Sequence, residues 1–154
     1  MNYKLYKNDF PATLKFKKIV GIDTETMGLN LNRDRLCLIQ VCSGDNIAHL
    51  LQLSKDSKKK PLTLIKLLQN KNITKIFHFG RFDLAMLTKN ICTVIGPVYC
   101  TKIASKLSRT FGANHGLKDL CKDLLNIELD KFNQTSDWGA KTLSKNQLAY
   151  AAQD

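Results

Sequence analysis

Hydrophobic positions gather in short unbroken runs over the first third of the chain and at helical spacing after it. Ile19 to Asp23 is one run and Leu36 to Val41 another, with Gly28, Asn30, Asn32 and Asp34 between them, so the pattern predicts strand, turn, strand. Ile47 to Leu53 follows the turn-forming Ser43-Gly44-Asp45-Asn46 and predicts a third strand of an antiparallel meander. After Pro61, which suits a first helical turn, Leu62, Ile65, Leu67 and Leu68 share an apolar face that ends near Asn70. Lys75 to Phe79 predicts a buried strand, and Phe82, Leu84, Ala85 and Leu87 beyond Gly80 a helix. Val98 to Thr101 predicts the last strand, and Lys102 to Ser108, Leu117 to Leu125 and Ser144 to Asp154 three more helices. Phe77, Phe79, Phe82 and the lone Trp138 are expected in the core.

Three meandering strands followed by alternating helices and strands give a mixed α/β sheet with helices on both faces. No repeat or linker interrupts the pattern, and the length suits one domain over 1–154. The last helical pattern is still running at Asp154, so this chain is expected either to stop short of the whole or to have a disordered remainder. Charge changes this picture more than composition does. Hydrophobic residues at 44% and charged residues at 24% argue against disorder or a fibrous repeat. The 24 Lys and Arg against 13 Asp and Glu leave +11, an excess that attracts polyanions and nucleic acid first. The run Lys58-Lys59-Lys60 is read as a solvated loop rather than a binding patch. Five cysteines without a CxxC pair suggest neither a disulfide framework nor a zinc knuckle, and fit reduced thiols in a cytosol. Met1 to Phe16 has no apolar stretch of the export type and no segment could span a bilayer, so a soluble cytoplasmic protein is expected.

Candidate chemistry lies at three places. In Asp23-Thr24-Glu25, at the end of the first run, residues two apart project from one face while the middle one points away. Two carboxylates held so close repel unless a cation sits between them. Tyr150 and Asp154, four apart in the last helix, also share a face, with Ala149, Ala151 and Ala152 leaving room around them. Asp83 stands near a helix start, where a carboxylate also suits the macrodipole. Each feature alone has a bland explanation; their order along the chain is a joint constraint.

That order resembles the DEDD exonuclease superfamily in its tyrosine-bearing, ribonuclease D-like branch. The matching stretches are Gly21-Ile22-Asp23-Thr24-Glu25-Thr26, His78-Phe79-Gly80-Arg81-Phe82-Asp83 and Tyr150-Ala151-Ala152-Gln153-Asp154. Lys131, Gln134 and Ser136-Asp137-Trp138 resemble the segment leading into the last motif. Arg33 to Cys37, Thr74 to Leu87, Cys100 to Leu107 and His115 to Lys118 look most like the short bacterial members of the nanoRNase C type. The resemblance implies an RNase H-like fold and a metal-dependent 3′-to-5′ exonuclease. It also implies short oligoribonucleotide substrates including dinucleotides, nucleoside 5′-monophosphates as product, and a homo-oligomer, an octamer in this type.

On that resemblance, two Mg²⁺ ions about 4 Å apart, with Mn²⁺ as a substitute, activate water and neutralise the leaving oxygen. Asp23, Glu25 and Asp154 are assigned to one ion, Asp23 to the bridge and Asp83 to the second ion. Tyr150 is expected to orient the attacking water rather than remove its proton, because a phenol with pKa near 10 is a poor base. His78, Arg81 and Lys102 are candidate phosphate contacts, with His115 and Lys118 weaker ones. Thr26, Met27, Gly28 and Leu29 follow the first motif, where a turn and an apolar side chain can meet the terminal base. Two alternatives remain: a 3′-5′ exonuclease acting on DNA or structured RNA ends, and an inactive nucleic-acid-binding module.

Overall fold

The computed structural model describes residues 2–91, 94–112, 114–129 and 135–153. Its strands are β1 (Asn2–Lys7), β2 (Ile19–Thr26), β3 (Leu36–Cys42), β4 (Ile47–Gln52), β5 (Thr74–Phe77) and β6 (Val98–Cys100). Its helices are α1 (Leu62–Gln69), α2 (Arg81–Asn90), α3 (Thr101–Ser108), α4 (Leu117–Leu125) and α5 (Lys145–Gln153). The strands form one sheet in the order β1-β4-β3-β2-β5-β6. As the periodicity predicts, β2, β3 and β4 pair antiparallel, while β5 joins β2 in parallel after the α1 crossover and β6 joins β5 in parallel after α2. The meander is preceded by β1, which pairs in parallel with β4 from Asn2↔Ile47 to Lys7↔Gln52. Its lysines hid it from a search for apolar runs, yet exposed lysines are what an edge strand needs to discourage further pairing.

Helices cover both faces, which explains why β3 is buried at every position but its last. On one face Val20, Ile22, Ile39, Val41 and Leu51 pack with Leu64, Leu67 and Leu68 of α1 and with Met86 and Leu87 of α2. On the other, Leu38, Ala48 and Leu50 pack with Trp138, Leu143, Leu148 and Tyr150 to Ala152. Each fully buried Leu or Ile contributes about 1.5–3 kcal/mol relative to exposure. The buried Lys75 ammonium donates to the Asn70 and Gly96 carbonyls, both at 2.6 Å, so the charge enters the core with acceptors already in place. Lys58 to Lys60 are solvent-exposed, as expected of a loop.

Two expectations need correction. In α1 the inward face is Leu64, Leu67 and Leu68, and Leu62 is exposed because the helix starts one residue after Pro61 and turns that position to solvent. Phe79 is not core: β5 ends at Phe77, Phe79 takes φ of 58°, and its ring is 58% exposed. The left-handed turn there reverses the alternation that Phe77 would otherwise have continued. Gly80, which starts α2, is the residue that permits the tight turn, since a Cβ on it would lie 2.4 Å from Phe77 Cβ.

His49, buried in β4, stacks on Tyr6 at 5.8 Å and meets Phe10 and Phe16 edge-on, with its Nδ1 3.2 Å from the Tyr6 hydroxyl. Burial holds its pKa below the ordinary 6.5. The unfolded chain therefore binds a proton that the fold resists, and the stability this neutral ring supports is lost as pH falls below 6.5 toward the depressed folded value. Urea unfolding between about pH 7.5 and about pH 5 should show a smaller acid-side loss for His49→Phe than for the wild type. Parallel curves would mean that His49 titrates alike in both states.

Candidate active site

β2 delivers the first motif by simple alternation. Val20, Ile22 and Thr24 point into the core shared with α2, while Gly21 and Asp23 line the opposite side with Ala151, Ala152 and Gln153 of α5. Asp23 pairs with Gln40 and Glu25 with Leu38 across the β2–β3 ladder, so the two carboxylates stand on one face at the last regular positions of the strand. A register shift between Glu25 and Thr26 then ends regular pairing. The Thr26 hydroxyl donates to the Gly28 carbonyl at 2.7 Å and the Met27 amide to the Arg35 carbonyl at 3.1 Å, which turns the following loop. Gly28 lets the Asp34 carboxylate approach closely, since a Cβ there would lie 2.3 Å from a carboxylate oxygen and would displace that side chain. Leu29 is 82% exposed, so core packing does not explain it, and Met27 beside it is exposed as well.

Asp83 sits buried in the first turn of α2 and accepts a hydrogen bond of 2.5 Å from the Thr24 hydroxyl. The middle residue of Asp23-Thr24-Glu25 thus does more than point away: it ties the second acidic motif to the first. Burial holds the Asp83 carboxyl above the usual carboxylate range, and the Thr24 bond opposes that shift in part. A nearby cation would oppose that shift by favouring the charged carboxylate.

Tyr150 is carried, buried, by α5. Ser144 and Gln147 start that helix with a reciprocal cap, the Gln147 amide donating to Ser144 Oγ at 3.2 Å and the Ser144 amide to Gln147 Oε1 at 2.9 Å. The segment before it is pinned by Arg35 to the Gly139 carbonyl, Gln52 to the Ala140 carbonyl and Gln147 to the Asp137 carbonyl. Trp138 is buried, as expected, and its ring lies 6.0 Å from that of Tyr150, holding the phenol in a packed wall. Asp154, Lys131 and Gln134 lie outside the described residues. Among the described residues no three acidic, His or Cys side chains converge closely enough to hold a metal ion by themselves.

The basic candidates gather around the second motif. His78 Nδ1 lies 2.9 Å from the Thr101 hydroxyl, which also reaches the Phe77 carbonyl at 3.3 Å. Arg81 is exposed at the start of α2, and the Lys102 ammonium sits 3.9 Å above the exposed Phe79 ring. His115 meets Ser105 at 2.9 Å and braces α4 against α3.

The family model of 3′-5′ exonucleases matches residues 7–154. The chain belongs to that family. Ribonuclease D of Bartonella henselae is 32% identical over 93% of this chain and 34% of its own length, and that of Zymomonas mobilis 33% identical over 88% and 34%. The chain therefore spans about a third of the length of the curated relatives it matches. Among solved structures, Brucella melitensis NrnC bound to pGG is 50% identical with a TM-score of 0.92, covering 99% of this chain and 74% of that one. Escherichia coli RNase D, described as an exoribonuclease involved in structured RNA processing, is 25% identical with a TM-score of 0.72, covering 88% and 35%. The ribonuclease D-like and NrnC-type assignment and the RNase H-like α/β fold both hold.

Sequence reasoning gave no role to Thr24 or Thr101. A hydroxyl placed between two acids was the available sign for Thr24, but its partner is 59 residues away and enters through the fold. Thr24→Val keeps the shape and removes the donor, leaving Asp83 short of a hydrogen bond in a buried site, at a cost of about 1–3 kcal/mol. Urea unfolding in EDTA should show that loss for Thr24→Val and little for Thr24→Ser. Equal stabilities would show that the hydroxyl is not what holds Asp83.

Proposed function

We propose that this chain is the catalytic domain of a two-metal-ion 3′-to-5′ exoribonuclease that releases nucleoside 5′-monophosphates from short oligoribonucleotides, dinucleotides included. The observation that carries the proposal is the Thr24–Asp83 bond, which joins a carboxylate from α2 to the strand end where Asp23 and Glu25 stand together. Likeness to an NrnC structure that holds pGG supports a short substrate. The all-oxygen donor set fits Mg²⁺, with Mn²⁺ as a substitute, and disfavours a closed zinc site. Asp23, Glu25 and Asp154 would hold one ion, Asp83 the second, and Asp23 would bridge them. When bound, the pair supplies charge neutralisation at the scissile phosphate and an activated water.

The remaining residues bind and orient. Tyr150, fixed against Trp138, positions the attacking water. Arg81, His78 and Lys102 meet substrate phosphates from the starts of α2 and α3, where helix N-termini favour anions. Thr26, Met27 and Gly28 shape the loop that presents Leu29 to the terminal base. No helix among the described residues is long and apolar enough to cross a membrane, and cytoplasmic action on RNA is the proposed setting.

Assembly into a homo-oligomer, an octamer by resemblance, is part of the proposal. Ile103 and Leu107 of α3, Phe111 beyond it, and Leu124 and Leu125 of α4 leave apolar surface exposed, with Phe111 at 89%. The Arg109–Asp123 ion pair at 2.8 Å holds these two helices together. Burying such a surface against a second copy would remove it from water.

The full-length protein, given 5′-labelled RNAs of two to about ten nucleotides with Mg²⁺, should consume dinucleotides fastest, and EDTA or Asp23→Ala should silence it. RNA retained but uncut would favour a binding module, and faster loss of DNA ends would shift the substrate. Tyr150→Phe should lower kcat by about 10²-fold, the scale of a misplaced reacting group, with KM little changed. Full activity in that variant would remove Tyr150 from the mechanism. In light scattering, the double variant Leu107→Asp with Phe111→Asp should fall to a smaller mass, and an unchanged mass would place the interface elsewhere.

A further inference from the structure

Gln40 stands directly opposite Asp23 in the β2–β3 ladder. Residues so paired in an antiparallel sheet put their side chains on the same face, with Cβ atoms about 5 Å apart. Gln40 is 4% exposed, and neither its Nε2 nor its Oε1 has a hydrogen-bond partner among the described residues. Buried side-chain amides almost always find partners, so an amide orphaned on both atoms requires an explanation. Leu38 and Ala48 pack without polar cost on this same face, so the fold does not call for a glutamine here. The side chain lines a cavity of about 290 Å³ whose wall also includes Asp23, Cys42, His78 and Ala152.

We propose that Gln40 is a positioning residue for Asp23, its Nε2 donating to the Asp23 carboxylate when the site is loaded with divalent cations. The inference rests on the two-metal reading above and extends it to a residue outside the acidic set. A bridging carboxylate commits one lone pair of each oxygen to the cations and keeps others for N–H donors, which fix its orientation. A neutral amide suits that task. A lysine or arginine at the same position would compete with the cations for Asp23, another carboxylate would repel it, and an apolar residue would leave its second lone pairs without a donor. The Oε1 of Gln40 then faces the cavity, where an ordered water can satisfy it.

The test compares wild type, Gln40→Met, Gln40→Leu and Asp23→Asn in the full-length protein by Mn²⁺ titration calorimetry and by thermal unfolding in EDTA. Gln40→Met replaces an orphaned amide with an apolar chain of similar length, so the metal-free variant should unfold at the wild-type temperature or above it. Its Mn²⁺ affinity should fall about 10- to 100-fold, the range seen when an outer-shell partner of a metal ligand is removed. Gln40→Leu serves the same comparison if the methionine variant does not fold. Unchanged Mn²⁺ affinity in the variant overturns the role of Gln40, whether or not its metal-free stability drops. Equal Mn²⁺ binding by wild type and Asp23→Asn would instead remove the metal-site reading itself.

Discussion

Between Val20 and Thr26 the central strand sends alternate side chains into two different cores, and the candidate site depends on that division. Thr24 enters the layer filled by α1 and α2, where it meets Asp83, while Asp23 and Glu25 face the layer closed by α5. A slip of one residue in β2 would exchange the two sets, burying two carboxylates among Val20's neighbours and sending the hydroxyl to the opposite layer. The antiparallel register with β3, secured by a strand buried on both faces, excludes that slip. The Thr24 hydroxyl then links Asp83 of α2 to the strand that carries Asp23 and Glu25, and all three acids are held by regular elements rather than by a flexible loop.

Holding those groups there is costly in the absence of cations. Asp83 is buried enough to push its carboxyl upward, the acids of β2 are neighbours, and Gln40 faces Asp23 with an unpaired amide. Each would be cheaper as an apolar residue, and the surrounding cores supply the stability that offsets them. The supporting contacts lie just outside the acids: the Ser144–Gln147 cap starts α5, and Trp138 backs Tyr150. The net charge of +11 acts at longer range and raises a field that attracts polyanions.

The sheet was legible in the chain where one physical rule decided the outcome. Short apolar runs marked β2 to β4, those of β3 and β4 because strands buried on both faces have no polar side, and helical spacing marked α1 to α5. β1 escaped because an edge strand obeys a different rule, in which lysine is favoured. Phe79 misled because its aromatic character suggested core, whereas a left-handed turn decided its direction. Leu62 misled for a similar reason, since helix phase depends on where the first turn begins.

By itself the sequence determined the residue types and order of the acidic motifs, the charge, and the family to which the chain belongs, because these depend on identity and spacing along the chain. Tertiary structure alone decided that Thr24 grips Asp83, that Thr101 meets His78, that Lys102 covers Phe79 and that Gln40 faces Asp23. The physical reason is range. Alternation and helical periodicity are local and can be read in a few residues, whereas a hydrogen bond or strand register across tens of residues exists only after the sheet has closed and water has been excluded from between its layers.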